Sequence, residues 1–334
     1  MKKLYLAGLC TLAVLLVACG GGGGDGAAAP APLGSAALTV ANQQLAAQAA
    51  MSGSFVTIDG VQALTGVRSV DEGVLFRAAR HQMDKLPVYM AAVVANKVAT
   101  GVISTQVLAC TISGTATVSG VDADSNNVVS AGDSVTVTFN SCVEPEGTLG
   151  GSVTLAVNSL SGVFGSNVYS TNITMVFGNF SVADGLFIGT LGGSMGVALN
   201  VTGPDSYVAN ANSPSLQVTG NYSGVIRTQT LQTFGATATR LPDVTFGYTT
   251  SFTFSGTLIS SDLSSQAVAI TTLTPFLTRG IDVYPTSGVM LVTGAANSKL
   301  RLTAISNTQV LEELDANGDG FFESLTAVNW NTLL

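Results

Sequence analysis

Two acidic segments carry the residue types and spacing best suited to chemistry. In "DADSNNVVSAGD", Asp122, Asp124 and Asn126 fall at every second position and are followed by Val128, Ser130 and Asp133. In "LDANGDGFFESLT", Asp315, Asn317 and Asp319 repeat that spacing and are followed by Gly320, Phe321 and Glu323. Alternating oxygen side chains on one curled loop, with a backbone carbonyl from Val128 or Phe321, suit a hard cation such as calcium, which takes about six to eight oxygens. The first loop closes on Asp133. In the second, the equivalent twelfth position is Thr326, so the closing carboxylate is missing and Glu323 is the last acidic candidate. Few carboxylates converge, so the affinity expected is that of weak extracellular modules. The alternative for both segments is a polar turn, because tight turns also select Asp, Asn and Gly.

The first loop resembles the calcium loop of EF-hand and dockerin modules, the latter also closing on aspartate. Asn127 stands where those loops use glycine, and asparagine tolerates the left-handed backbone second best. The flanks depart from the resemblance. "GTATVSGV" and "SVTVTFNSC" alternate as strands. The loop is therefore expected to tip a β-hairpin instead of joining two helices.

Other catalytic constellations are weak, and the chain is not expected to be an enzyme. "GGSMG" matches a nucleophile elbow around Ser194, but an elbow needs a strand before it and a helix after it, with histidine last in the chain. Both flanks alternate like strands, and the sole histidine, His81, lies far upstream on an expected helix. His81 reads as a solvated surface residue. One histidine and no cysteine cluster also argue against zinc. Glu144 and Glu146 imitate an acid pair, but Pro145 and Gly147 favour a turn.

The elements that must position these residues follow from composition. Of 334 residues, 46% are hydrophobic and only 10% charged, with 38 glycines. Such a mix suits pleated strands joined by tight turns. From about residue 100 the hydrophobic period is two. In "DVTFGYTTSFTFSGTL", Val244, Phe246, Tyr248, Phe252, Phe254 and Leu258 share one face and Ser/Thr residues the other. The fold class expected is mainly β: a large antiparallel meander curled into a barrel- or sandwich-like sheet, with short N-terminal helices. One helix is expected over Ala37–Met51. A second follows the capping-box pair Ser69 and Glu72, with Leu75, Ala79, Met83 and Leu86 on one face and Pro87 near its end. Net charge is −8, and no Lys or Arg occurs between Lys97 and Arg227. That excludes the basic footprint of a nucleic-acid binder.

The address is the clearest signal. Lys2 and Lys3 precede an apolar run from Leu4 to Ala18, ending in "LVAC". The run is too short to span a bilayer comfortably, and it resembles the bacterial lipoprotein signal, in which Cys19 is acylated with palmitate-type chains. Gly20, not aspartate, follows Cys19, and the resemblance then implies the outer membrane, periplasmic or surface-exposed. Two acyl chains already anchor stably. The Gly/Ala/Pro-rich tether that follows has an r.m.s. span of roughly 23 Å. Cys10 leaves with the signal, so Cys110 and Cys142 remain as an even pair in an oxidising compartment, and a disulfide is expected between them. The organisation expected is a signal peptide over 1–18, a lipidated cysteine and tether over 19–37, a helical region over 38–100 and an antiparallel β domain over 101–334.

"LVACGGGGG", "VANQQLAAQA", "ACTISGTATVSG…SAGDSVTVTFNSC" and "YPTSGVMLVTG…LDANGDGFFESLTAVNW" together resemble a group of proteobacterial outer-membrane lipoproteins with a Cys-bracketed hairpin and a C-terminal D-x-N-x-D-G loop. The resemblance implies architecture and address only. The function expected is that of a lipid-anchored envelope β protein with a structural or interaction role, stabilised by calcium. The alternative is a carrier for a lipid or other apolar ligand, and a glycan-active or other hydrolase ranks third. The partners expected are the membrane, through its anchor, and an envelope protein or apolar ligand.

Overall fold

A computed structural model describes residues 34–63, 74–95, 105–185, 187–222, 225–280 and 282–333. The expected signal peptide, Cys19 and the expected Ser69–Glu72 capping pair lie outside these residues.

Three helices precede the sheet: α1 (Gln43–Ala63), α2 (Val74–Asp84) and α3 (Leu86–Ala95). The strands follow in order: β1 (Gln106–Ala109), β2 (Ser113–Val121), β3 (Ser134–Glu144), β4 (Gly147–Gly162), β5 (Tyr169–Asp184), β6 (Phe187–Gly203) and β7 (Ser206–Tyr222). Then come β8 (Val225–Asp243), β9 (Gly247–Ser260), β10 (Gln266–Arg279), β11 (Ser287–Thr293), β12 (Lys299–Ala304), β13 (Gln309–Asp315) and β14 (Ser324–Asn329). A single turn, α4 (Trp330–Leu333), ends the described chain. All fourteen strands form one sheet in sequence order, every strand pairing antiparallel with its chain neighbours. The sheet is thus a mainly β meander, as its period-two pattern predicts. It stays open, because β1 and β14 are its two edges and do not pair.

One face of the sheet is dry. Val153, Leu155 and Val157 of β4, Ile173, Met175 and Phe177 of β5, and Met195, Val197 and Leu199 of β6 are all buried. The alternate positions carry a polar ladder, in which Thr136 bonds Thr154 at 2.9 Å and Asn158 bonds Thr174 at 2.8 Å. The helices cover the dry face in turn: α1 packs on β7, β8 and β9 and also reaches β11 and β12, α2 packs on β4–β6, and α3 packs on β2 and β3. Strands from β7 to β12 would span roughly 24 Å if flat, at about 4.8 Å per interval. A helix is only about 10–12 Å across. α1 is, however, 21 residues and so about 31 Å long, enough to reach both groups.

β-Bulges bend the strands locally. Register shifts recur in successive strand pairs, and the backbone turns left-handed at Ser141, Asn179 and Thr233. At two of them glycine is obligatory. A Cβ on Gly114 would lie 1.9 Å from the Ser141 carbonyl oxygen, and one on Gly151 would lie 2.0 Å from that of Asn179. The small residues of α1 let it lie close to the sheet. Ala46, Ala47, Ala49 and Ala50 are buried, and Gly53 packs against Leu231 and Leu258. Phe55 then enters a ring of Phe252, Phe276 and Trp330, with centroids 5.3–6.3 Å away.

Three local expectations are revised. The first helix starts at Gln43 and runs twelve residues past Met51, to Ala63. Asn42 marks its start: its side chain accepts from the Thr39 amide, and its carbonyl accepts from the Ala46 amide. The second helix ends at Asp84, shortly before Pro87 as expected, but Leu86 and Pro87 open a further helix, α3, in whose first turn a missing N–H costs nothing. Val244 and Phe246 do not join the dry face and are exposed in the β8–β9 turn. The Asp243 carboxylate accepts from the Thr245 and Phe246 amides at 2.8 and 2.9 Å, and so closes the hairpin before the alternation can extend.

Candidate calcium loops

The loop after β2 and the loop after β13 are both hairpin tips. Strand direction reverses at every turn of a meander, so these two tips lie at opposite ends of the strands. Despite this separation they share one conformation. The fourth and sixth positions are left-handed in each, at Ser125 and Asn127 in the first and at Gly318 and Gly320 in the second.

The hydrogen bonds match as well. The first-position carboxylate accepts from the sixth-position amide: Asp122 from Asn127 at 3.2 Å, Asp315 from Gly320 at 2.9 Å. The third-position oxygen accepts from the fifth-position amide: Asp124 from Asn126, Asn317 from Asp319. The fifth-position oxygen accepts from the seventh-position amide: Asn126 from Val128, Asp319 from Phe321, both at 2.8 Å. Val128 and Phe321, the expected carbonyl donors, are thereby held in equivalent places with exposed side chains.

The closing group differs from expectation in the second loop. In the first, Asp133 is wholly buried; it accepts from the second-position amide of Ala123 at 2.9 Å and from the Ser130 amide at 2.7 Å. Ser130 also donates its hydroxyl to Asp133 at 3.1 Å, so that hydroxyl is already committed. In the second loop Glu323 takes the role of Asp133, accepting from the second-position amide of Ala316 at 3.1 Å. Thr326 lies outside the loop, paired across the ladder with Glu312. The longer glutamate side chain lets the ring close three residues earlier. The signal was present in the sequence as a carboxylate directly before a strand.

In each loop, carboxylate oxygens from three residues lie within 4.8 Å of one another: Asp122, Asp124 and Asp133; Asp315, Asp319 and Glu323. Asp315 is wholly buried with both oxygens on amides, from Gly318 and Gly320. A carboxylate oxygen keeps a second lone pair after accepting one amide. The residues present therefore fit a hard divalent cation. Both loops are also tied to the sheet. The Gly132 amide donates to the Val157 carbonyl at 2.7 Å, and the Arg301 guanidinium lies 4.2 Å from the Phe322 ring centre while pairing with Glu313.

At the other end of the first hairpin, Cys110 and Cys142 form the expected disulfide, with Cα atoms 5.5 Å apart. Cys142 does not lie beyond the strand. It is inside β3, opposite Leu149, because pairing with β4 continues to Glu144. Here the fold gathers residues that sequence reasoning treated apart. His81 is not a solvated residue: its Nε2 lies 3.3 Å from Glu144 and its Nδ1 3.8 Å from Glu146. Lys85 Nζ lies 2.6 Å from the other oxygen of the buried Glu144 carboxylate. Burial alone would raise the Glu144 pKa, but hydrogen bonds from Lys85 and Thr111 and the Lys85 charge outweigh it and hold it low. Burial, assisted by the Glu144 charge, pushes the nearby Tyr89 phenol up. The arrangement clasps the helices to the disulfide-bearing hairpin. The spacing of His81 and Lys85 opposite the two glutamates was its only sequence signal.

The remaining candidate, Ser194, lies inside β6, paired with Val176 on one side and Ser215 on the other. No helix follows it, so the elbow geometry is not formed. Comparison of the chain with protein-family models, curated proteins and solved structures found no match.

Proposed function

We propose that this protein is a lipid-anchored β protein of the cell envelope with a structural or interaction role, in which calcium bound at two hairpin tips stabilises an open sheet. The observation that carries the calcium reading is the shared geometry of the two loops: the same left-handed positions, the same three side-chain-to-amide bonds and three converging carboxylates in each. An open sheet has vulnerable edges; the loops lie in the β13–β14 hairpin at one margin and in the β2–β3 hairpin, next to the edge strand β1, at the other. An ion at each tip would hold those margins in register. The lipid anchor rests on the "LVAC" box and Gly20.

The carrier reading draws no support from the apolar space beneath α2. The described space between α2 and strands β5 and β6, lined by Met83, Phe164, Tyr169 and Ile173 among others, is about 10 Å³. Small-ligand sites measure roughly 300–1,000 Å³.

The test is the thermal melt of the mature chain in EDTA and in millimolar calcium. A calcium-dependent rise in melting temperature, absent from the Asp122→Ala/Asp315→Ala double variant, is the expected result. An unchanged melt of the parent protein would sink the calcium reading.

A further inference from the structure

We propose that a groove beside the C-terminus binds a neutral oligosaccharide. This inference does not depend on calcium or on the lipid anchor. The groove forms where three segments meet at one end of the meander: the connection from β10 to β11, the turn from β12 to β13, and the end of β14 with α4. Turns joining these strand pairs share one end of the sheet because each is an even number of reversals from the next. The groove is open to solvent and offers about 610 Å³, inside the roughly 300–1,000 Å³ range of small-ligand sites.

Its lining has the chemistry of sugar recognition. Asp282, Asn307, Thr308, Asn329 and Asn331 supply amides, a hydroxyl and one carboxylate. Among the described residues no Lys, Arg or His lines it, so they offer no match for a phosphate or other anion. An amide offers a donor and an acceptor side by side, which pairs with the vicinal hydroxyls of a pyranose. The side chains of Asn329 and Asn331 are exposed and form no hydrogen bond among the described residues, so their bonding capacity is unspent. Asn307 and Asp282 are fixed by a 3.1 Å bond from the amide to the carboxylate.

Tyr284 supplies the apolar wall. Its ring is half-buried and stacks on Trp330 with centroids 5.8 Å apart and planes 11° from parallel. Trp330 is wholly buried, and it is anchored by its indole N–H on the Ser306 carbonyl and its backbone N–H on the Thr308 carbonyl. The wall is therefore rigid before any ligand arrives, which lowers the ordering cost of binding. The C–H face of a sugar packs on such a ring while its hydroxyls meet the amides.

Trp330 is the only tryptophan in the chain, so intrinsic fluorescence reports on this groove alone. The mature protein is titrated with chitohexaose, maltohexaose and cellohexaose. The expected result is a saturable change with at least one of them, confirmed by calorimetry. Affinity should fall about tenfold or more in Asn329→Ala/Asn331→Ala, whose exposed positions leave the melt unchanged. Tyr284→Phe should retain binding. No saturable change with any probe up to about 10 mM overturns the proposal, as does binding that the Asn329/Asn331 double substitution leaves intact.

Discussion

Glu323 accepts a hydrogen bond from the backbone amide of Ala316 at 3.1 Å, and so closes its loop as Asp133 closes the other on Ala123. Sequence spacing alone assigns that closing role to Thr326, which instead lies in the β13–β14 ladder. Glu323→Gln should therefore reduce the calcium-dependent rise in melting temperature, while Thr326→Ala should leave it unchanged. Equal effects of the two substitutions would show that the loop does not close on Glu323.

The disulfide clamps the base of the first hairpin, with a sequence separation of 32 residues. On the chain-entropy account such a loop contributes about 3–4 kcal/mol. The Cys110→Ser/Cys142→Ser variant is expected to lose about that much in chemical denaturation. A loss near zero would mean that residual structure already restrains the reduced, unfolded chain.

Glu144 is held below the usual carboxylate range, burial being outweighed by Lys85 and Thr111. A carboxylate with a depressed folded-state pKa contributes stability above its unfolded value, and loses it as pH falls through the folded value. Lys85→Met removes the main opposing cation and leaves the burial. The variant should melt lower at neutral pH, and the acid limb of its stability curve should move to higher pH. A melting-temperature profile from pH 3 to 8 that superimposes on the parent's would refute the clasp.

Glu312 shows the opposite sign. It is buried, and burial raises its pKa despite a 3.0 Å hydrogen bond from Gln43. A raised folded-state value means that its protonated form stabilises below the unfolded value, and that this contribution is lost as pH rises through the folded value. Glu312→Gln keeps the shape and cannot ionise. It should raise the melting temperature at pH 8, and the gain should disappear as pH falls below the ordinary carboxylate range. A gain that is the same at pH 3 and pH 8 would point to a packing effect instead.

The meander was legible because period two is a local property. In β9, Phe252, Phe254 and Leu258 must share a side once the backbone is extended, whatever the strand pairs with. The same alternation misleads at Val244 and Phe246, where Asp243 bonds two amides and turns the chain first. The disulfide was legible because the expected oxidising address, with Cys10 and Cys19 assigned to the signal and anchor, would leave two cysteines with one pairing. The conformation of the two acidic loops was largely legible, since the spacing from the first to the seventh position is fixed by one short run of backbone.

What the sequence by itself determined was therefore what neighbours in the chain decide: strand alternation, the Asp-x-Asp/Asn runs and the helix that precedes the sheet. Tertiary structure alone decided that the sheet stays open, because closure depends on strand register and bulges accumulated over the whole sheet. It also decided that His81 meets Glu144 and Glu146, residues more than sixty positions away, and that Tyr284, Asn307 and Asn331 line one groove. These juxtapositions are set by strand count, register and direction summed over the whole meander, which no short window of sequence contains.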